Sequence, residues 1–171
     1  MLELVRSAEY GYTERQRLIS TLCEKYGFLK RKNIGRSCGG RDITAVKIGS
    51  AEEYSLIAAA FHGSERITST VLLMFVEELS RALSENGFLG SLNACRALNN
   101  KGVIFVPCVN PDGCDISLYG AKACGELSGA VNRLCMGDFK HWNANLRGVD
   151  INHNFNAGWH CLLYTSPSPR D

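Results

Sequence analysis

Apolar residues recur at helical intervals in two stretches of this chain. Leu18, Ile19, Leu22 and Tyr26 follow Thr13 and Gln16, which have the spacing of a capping box, so the pattern predicts an amphipathic helix over 14–26 that Gly27 ends. Leu72, Phe75, Val76, Leu79 and Leu83 mark a second helix over 67–83; Glu77, Glu78 and Arg81 fall on its wetter side, and Asn86-Gly87 lies past its end. Three other stretches read as strands. Residues 42–48 alternate imperfectly through Ile43, Ala45, Val46 and Ile48, whereas 54–61 is an almost unbroken apolar run, the pattern of a strand buried on both faces. Residues 103–109 form a third, β-branched run. The Asn110-Pro111-Asp112-Gly113 after it is turn chemistry, because proline fixes φ and glycine tolerates positive φ. Strand, helix, strand in that order predicts a crossover unit of an α/β sheet. Residues 30–40 are too polar for the pattern to assign an element, and 114–142 is weakly periodic, with room for one short helix.

Composition excludes more than it directs. Of 171 residues 45% are hydrophobic, enough for a sizeable single core without disulfides or a structural metal. The 19 Lys and Arg against 17 Asp and Glu leave a formal charge of +2, and Lys30-Arg31-Lys32 is the one basic run, so neither nucleic acid nor an anionic membrane is expected as a partner. No apolar stretch reaches the roughly 18 residues of a membrane span. Met1 to Arg6 lacks both a basic leader and an apolar core, so no secretory signal is visible and a cytoplasmic location is expected. The eight cysteines include no Cys-x-x-Cys pair and are read as structural thiols rather than a zinc site or a disulfide framework.

Two segments carry candidate chemistry. Phe61-His62-Gly63-Ser64-Glu65 falls where the apolar strand ends and the long helix begins, and in open α/β sheets ligands bind outside the carboxyl ends of the strands. A neutral imidazole and a carboxylate are good zinc donors, and a tight turn permitted by Gly63 can bring side chains three apart onto one ion. A hydrogen-bonded histidine at a strand end and a first-turn carboxylate favoured by the helix dipole account for the same pair without a metal. Arg147 to Trp159 is dense in short amides and carboxylates around apolar anchors, and such a segment can present amides to a polar ligand. A turn-rich connection whose Asp and Asn side chains bond their own backbone has the same composition.

Taken in order, these stretches resemble the zinc carboxypeptidase family, the carboxypeptidase A-like metallopeptidases, from about Glu14 to Trp159. Ile34 to Ile43 is similar to that family's glycine-containing approach to an early strand, and Phe61 to Thr68 to its first zinc-binding motif. Val109 to Gly113 is similar to its central strand end and Gly148 to Phe155 to its substrate-carboxylate motif. The wording looks most similar to the bacterial branch that includes γ-D-glutamyl-diaminopimelate peptidases. The resemblance implies an α/β fold of three layers, α/β/α with a mixed sheet, truncated at the C-terminus. Residues 1–159 would be the N-terminal part of a zinc peptidase catalytic domain, and 160–171, which holds two of the four prolines, a tail outside the fold. An exposed sheet edge and an apolar face are the expected consequences of truncation.

The resemblance further implies that Zn2+ is the cofactor, that His62 and Glu65 are two of its three ligands, and that Asn152 helps hold a substrate carboxylate. In most of the family an arginine follows that asparagine and grips the carboxylate with its fork. Here the residue is His153, which while neutral donates one weaker bond or none, and this favours an endopeptidase or a different acidic substrate over strict recognition of a free C-terminus. Arg133 and Arg147 are candidate compensating cations. The family's third ligand, a histidine, and its general base, a glutamate, come downstream of the carboxylate motif and match no position here; neither His141 nor His160 is assigned to either role. The implied function is zinc-dependent hydrolysis of peptide or γ-glutamyl amide bonds in a peptide or cell-wall peptide substrate through a metal-activated water, with this chain inactive alone. Two rival readings use the same residues: a zinc amidohydrolase of small N-acyl amino acids, and a non-catalytic module that binds peptides or carboxylates.

Overall fold

A computed structural model describes residues 10–155; the tail expected at 160–171 lies outside the described residues. The elements run α1 (Tyr12–Lys25), β1 (Lys30–Arg36), β2 (Asp42–Gly49), β3 (Tyr54–Ala58), α2 (Arg66–Ser84), β4 (Phe88–Leu89), β5 (Leu92–Asn93), α3 (Ala94–Ala97), β6 (Gly102–Val106), α4 (Pro111–Tyr119) and α5 (Ser128–Cys135). β1, β2, β6 and β3 are hydrogen-bonded in that order, while β4 and β5 form a small separate hairpin. β2 is antiparallel to both β1 and β6, and β3 is parallel to β6, so the sheet is mixed and β3, α2 and β6 make the crossover unit that the sequence predicts.

One face of this sheet carries the core. Val46 pairs with Phe105, and Ile48, two residues on, points the same way. All three are buried with Leu18, Ile19 and Leu22 of α1 and Leu72, Leu73 and Val76 of α2. The helices lie side by side on that face: Arg15 Nε donates to Ser69 Oγ (3.1 Å) near the start of both, and Lys25 Nζ to Glu77 Oε1 (3.3 Å) further along. On the opposite face the row Lys47, Ile104, Leu56 is only partly covered, and Leu56 is 66% exposed. Ala45 and Val106 on that same face are buried, so the sheet has helices and buried residues about it as the α/β reading expects. A second small core of Ile116, Cys124, Val131, Trp142 and Leu146 joins α4, α5 and the loop after them.

The sheet edges depart from the sequence pattern. β3 is not buried on both faces: Leu56 and Ile57 are exposed, and its outer side has no strand partner among the described residues. An unbroken apolar run shows that both faces suit burial, not that a neighbour is present to bury them. Ile57, Ala58, Ala59, Ile67, Val71 and Phe75 line an apolar groove of about 470 Å³ along this edge. β1 occupies the stretch to which the pattern assigns nothing. It is exposed along its whole length, so no position needs an apolar side chain, and its lysines and arginines guard the edge against pairing with other chains.

Two helix starts also differ. Asn110-Pro111-Asp112-Gly113 opens α4 rather than making a free turn: the Asn110 side chain accepts from Gly113 N (2.9 Å), and Pro111 stands in the first turn, where its missing N–H costs nothing. α1 has no side-chain cap, so Thr13 and Gln16 do not act as a capping box; the Tyr12 N–H donates instead to Asp115 Oδ1 of α4 (2.9 Å).

Candidate metal centre

The turn carrying His62 and Glu65 is fixed by backbone bonds that continue past the ends of β3 and β6. Ala59 N donates to Val106 O, and Val109 N and Asn110 N donate back to Ala59 O and Ala60 O, each at 3.0 Å. Ala60 has φ of 53°, in the left-handed region that disfavours any residue but glycine, so the chain is turned sharply just before the site. Gly63 is required by close approach: a Cβ there would lie 2.4 Å from Gly113 O and 2.5 Å from Trp142 O. Asn110, buried, donates through Nδ2 to Phe61 O (3.0 Å), Ala144 O (3.1 Å) and Asn143 O (3.3 Å). It thus ties the turn, α4 and the 143–150 loop together. Thr68 adds a further brace, its hydroxyl accepting from Ala60 N (2.9 Å) and donating to Glu65 O (2.7 Å).

Held this way, the two side chains converge. His62 Nδ1 is 3.0 Å from Glu65 Oε1. Two donors bound to one tetrahedral zinc ion would be separated by about 3.3 Å, so little movement of either is needed to place both on an ion. On the other side of the ring, Nε2 is 3.3 Å from Asp150 Oδ1. A carboxylate there accepts a hydrogen bond from Nε2–H and fixes the tautomer that leaves Nδ1 free to ligate. Burial opposes a charge on His62, but the hydrogen bond and charge of Glu65 and the charge of Asp150 outweigh it and raise its pKa above the ordinary histidine value. When Nδ1 is protonated it donates to Glu65 across the same gap that an ion would fill. Glu65 is the N-cap of α2, so the helix dipole also favours its charge.

Asp150 is the functional residue that sequence reasoning passed over; it lies inside the second candidate segment, but no spacing rule links positions 62 and 150. It also organises the residues after it. Asn152 N (2.9 Å) donates to the Asp150 oxygen that faces His62, and His153 Nδ1 lies 3.6 Å from the other oxygen. Asn152 and His153 are therefore brought to the site, although both side chains are exposed. Arg133 and Arg147 are exposed, on α5 and in the loop before Asp150, and neither hydrogen-bonds to His62, Glu65 or Asp150. His141 pairs with Asp138 (2.7 Å). Ser64 donates to Asn143, whose backbone oxygen accepts from Gly63 N. Among the described residues no group of three or more His, Cys, Asp or Glu is arranged to hold a metal ion, so the chemistry present is that of two donors and one orienting carboxylate.

A family model described as zinc carboxypeptidase matches residues 16–170. The chain belongs to the zinc carboxypeptidase family. It is 32% identical over 169 residues to the uncharacterized protein YqgT of Bacillus subtilis, covering 95% of this chain and 45% of that protein. It is 30% identical over 170 residues to γ-D-glutamyl-L-diamino acid endopeptidase 1 of Lysinibacillus sphaericus, covering 95% of this chain and 42% of that protein. The chain thus spans less than half the length of these relatives. Among solved structures it is similar to bovine thrombin-activatable fibrinolysis inhibitor in complex with tick carboxypeptidase inhibitor, with a TM-score of 0.57, 18% identity, and coverage of 80% of this chain and 37% of that one. At that identity the likeness concerns the fold, which is the α/β fold with a mixed sheet that the sequence implies.

Proposed function

We propose that this chain is the N-terminal part of a zinc-dependent peptidase that hydrolyses peptide or γ-glutamyl amide bonds. The observation that carries the reading is the approach of His62 Nδ1 to Glu65 Oε1 (3.0 Å) with Asp150 against the far ring nitrogen. Zinc held by His62 and Glu65 would supply Lewis-acid polarisation of the scissile carbonyl and a water of lowered pKa. The residues present do the preparatory work. Asp150 accepts a hydrogen bond from Nε2–H and holds the imidazole plane, Glu65 contributes a carboxylate oxygen, and Gly63 lets the turn lie against α4 and the 142–144 backbone. The Asn152 amide and His153 flank the same carboxylate and offer hydrogen bonds to a polar group of the substrate. Supporting a γ-glutamyl substrate are the relative whose name states that activity and the histidine at 153, which grips a free carboxylate less firmly than a guanidinium.

The third ligand and the general base match no position in this sequence and belong, in this reading, to polypeptide beyond it. Chain 1–171 then binds zinc weakly and turns nothing over. The test is a zinc titration of the chain against a chromophoric chelator, with an activity panel of a γ-D-glutamyl-diamino acid peptide, a peptide with a free C-terminus and an N-acyl amino acid. The panel is run on this chain and on a chimera continued with the C-terminal half of the Lysinibacillus relative. Weak zinc binding lost in His62→Ala, no turnover by the chain alone, and cleavage of the γ-glutamyl peptide by the chimera are expected. Turnover by the chain alone would overturn its inactivity. Preference of the chimera for the N-acyl amino acid would move the assignment to an amidohydrolase, and no turnover by a folded, zinc-loaded chimera would leave a binding module.

A further inference from the structure

Outside the metal centre, a buried cluster of reactive groups lies where β6 passes into α4. The Cys108 and Cys114 side chains are buried with their Sγ atoms 3.6 Å apart, and both pack on Ala60, the left-handed residue that opens the metal-site turn. Beside them is Arg15 of α1, 1% exposed. Its Nε donates to Ser69, but among the described residues Nη1 and Nη2 have no hydrogen-bond partner. Cys108, Cys114, Tyr10 and Asp115 are the groups that face this charge. A buried guanidinium so poorly satisfied is costly unless an anion lies near it, and a thiolate can fill that role. Burial opposes ionisation of Cys108, but the Cys114 S–H and the Arg15 charge outweigh it and hold that thiol below the ordinary range; Cys114, hydrogen-bonded to Cys108 and buried, is pushed well up. Two small apolar fillers would pack equally well here, yet they would leave the guanidinium facing only Asp115, a carboxylate already paired with Arg41.

We propose that Cys108 and Cys114 are a redox-active dithiol that hydrogen peroxide converts to an intramolecular disulfide, and that this bond disturbs the Asn110 clamp on the Phe61–Glu65 turn. In the first step the Cys108 thiolate attacks one peroxide oxygen. An S–O bond forms, the O–O bond breaks, and the departing hydroxide takes a proton and leaves as water. In the second step the Cys114 sulfur attacks the sulfenic sulfur, the S–S bond forms as the S–O bond breaks, and the oxygen, still carrying its own hydrogen, takes the Cys114 proton and leaves as a second water. The two thiols lose two hydrogens and two electrons, and the peroxide is reduced. Closing the sulfurs from 3.6 Å to a covalent bond of about 2.05 Å draws the end of β6 towards the first turn of α4. Asn110 lies between the two cysteines, with its backbone N–H on Ala60 O and its side chain on Phe61 O, so the strain reaches the turn directly.

The experiment uses zinc-free chain 1–171 and therefore succeeds or fails independently of the metal assignment. Cys38 and Cys95 are exposed and are replaced by serine to prevent cross-linking between molecules. After hydrogen peroxide treatment of the folded protein, the tryptic peptide 102–122, which holds both cysteines, should lose two hydrogens and regain them with a thiol reductant. Hydrogen exchange of the backbone amides in 59–65 should rise several-fold in the oxidised form. In Cys114→Ser the same peptide should instead go on to sulfinic acid, because no second thiol captures the sulfenic sulfur. The proposal is overturned if 102–122 stays unmodified under peroxide that fully oxidises Cys38 in the unsubstituted chain, if its cysteines pair elsewhere, or if the disulfide forms and exchange in 59–65 does not change.

Discussion

Asp150 does more for the candidate site than its sequence surroundings suggest. By holding Nε2 of His62 it decides which nitrogen faces Glu65, and its two oxygens also receive Asn152 N and the His153 ring. Replacing it as Asp150→Asn, which keeps the shape and an acceptor oxygen but removes the charge, should weaken zinc binding by about 10-fold without unfolding the chain, measured by chelator competition. The proton on His62 gives a second expectation. Its pKa in the folded, metal-free chain is raised, so it contributes stability that is complete below the unfolded value of about 6.5 and is lost as pH rises through the folded value. Zinc needs the same nitrogen deprotonated, so its affinity should climb with pH by one proton's worth until that folded value is passed, and then level off. A zinc titration across this range reads both the slope and the break; a flat profile would mean that His62 is not a ligand. His62 and Glu65 were legible in the sequence because a strand end, a glycine and a helix start fell together. Asp150 was not, because its partner is 88 positions away and only the folded chain joins them.

Among the elements, the start of α4 sets the site. Asn110 closes that helix as N-cap and spends its amide on three carbonyls from two other segments. Asn110→Ala should lower stability by about 2 kcal/mol or more in urea unfolding, combining a lost cap with carbonyls left unpaired in the interior. Nearby, Arg41 bonds Asp112 (2.6 Å) and Asp115 (3.1 Å), both buried. Arg41→Met should cost about 3 kcal/mol by leaving two carboxylates without their cation, again read by urea unfolding. The sequence pattern found α1 and α2 because each has one buried face, so its period survives in the residues, and it found β2 and the centre of β6 because consecutive buried positions such as Ala45 and Val46 or Phe105 and Val106 keep both strands apolar. It misread α4, since Asn-Pro-Asp-Gly suits a free turn and a helix N-terminus equally, and the choice depends on the carbonyls Asn110 reaches. It gave β1 nothing, since a strand exposed throughout carries no burial period.

For the whole molecule, the apolar run of 54–61 promised more burial than the described residues deliver. Ile57, Ile67, Val71 and Phe75 form an exposed apolar stretch along the free side of β3, and Leu56 stands exposed on the other face of the same strand. A patch of this kind drives association. Leu56→Lys with Val71→Lys should reduce self-association in sedimentation while changing stability by no more than about 0.5 kcal/mol per site, as expected for surface positions. The crossover unit was readable from element order, whereas the mixed sheet was an expectation of the family resemblance that the pairing of β2 with β1 and β6 bears out. The central claim is that His62 and Glu65 share a metal ion, and X-ray absorption at the zinc edge of the zinc-loaded chain tests it most directly. One ion per chain with a single imidazole and a carboxylate among its ligands is predicted, the imidazole signal vanishing in His62→Ala and the binding weakening in Glu65→Gln. A sulfur-ligated ion, or a spectrum identical in both variants, would contradict it.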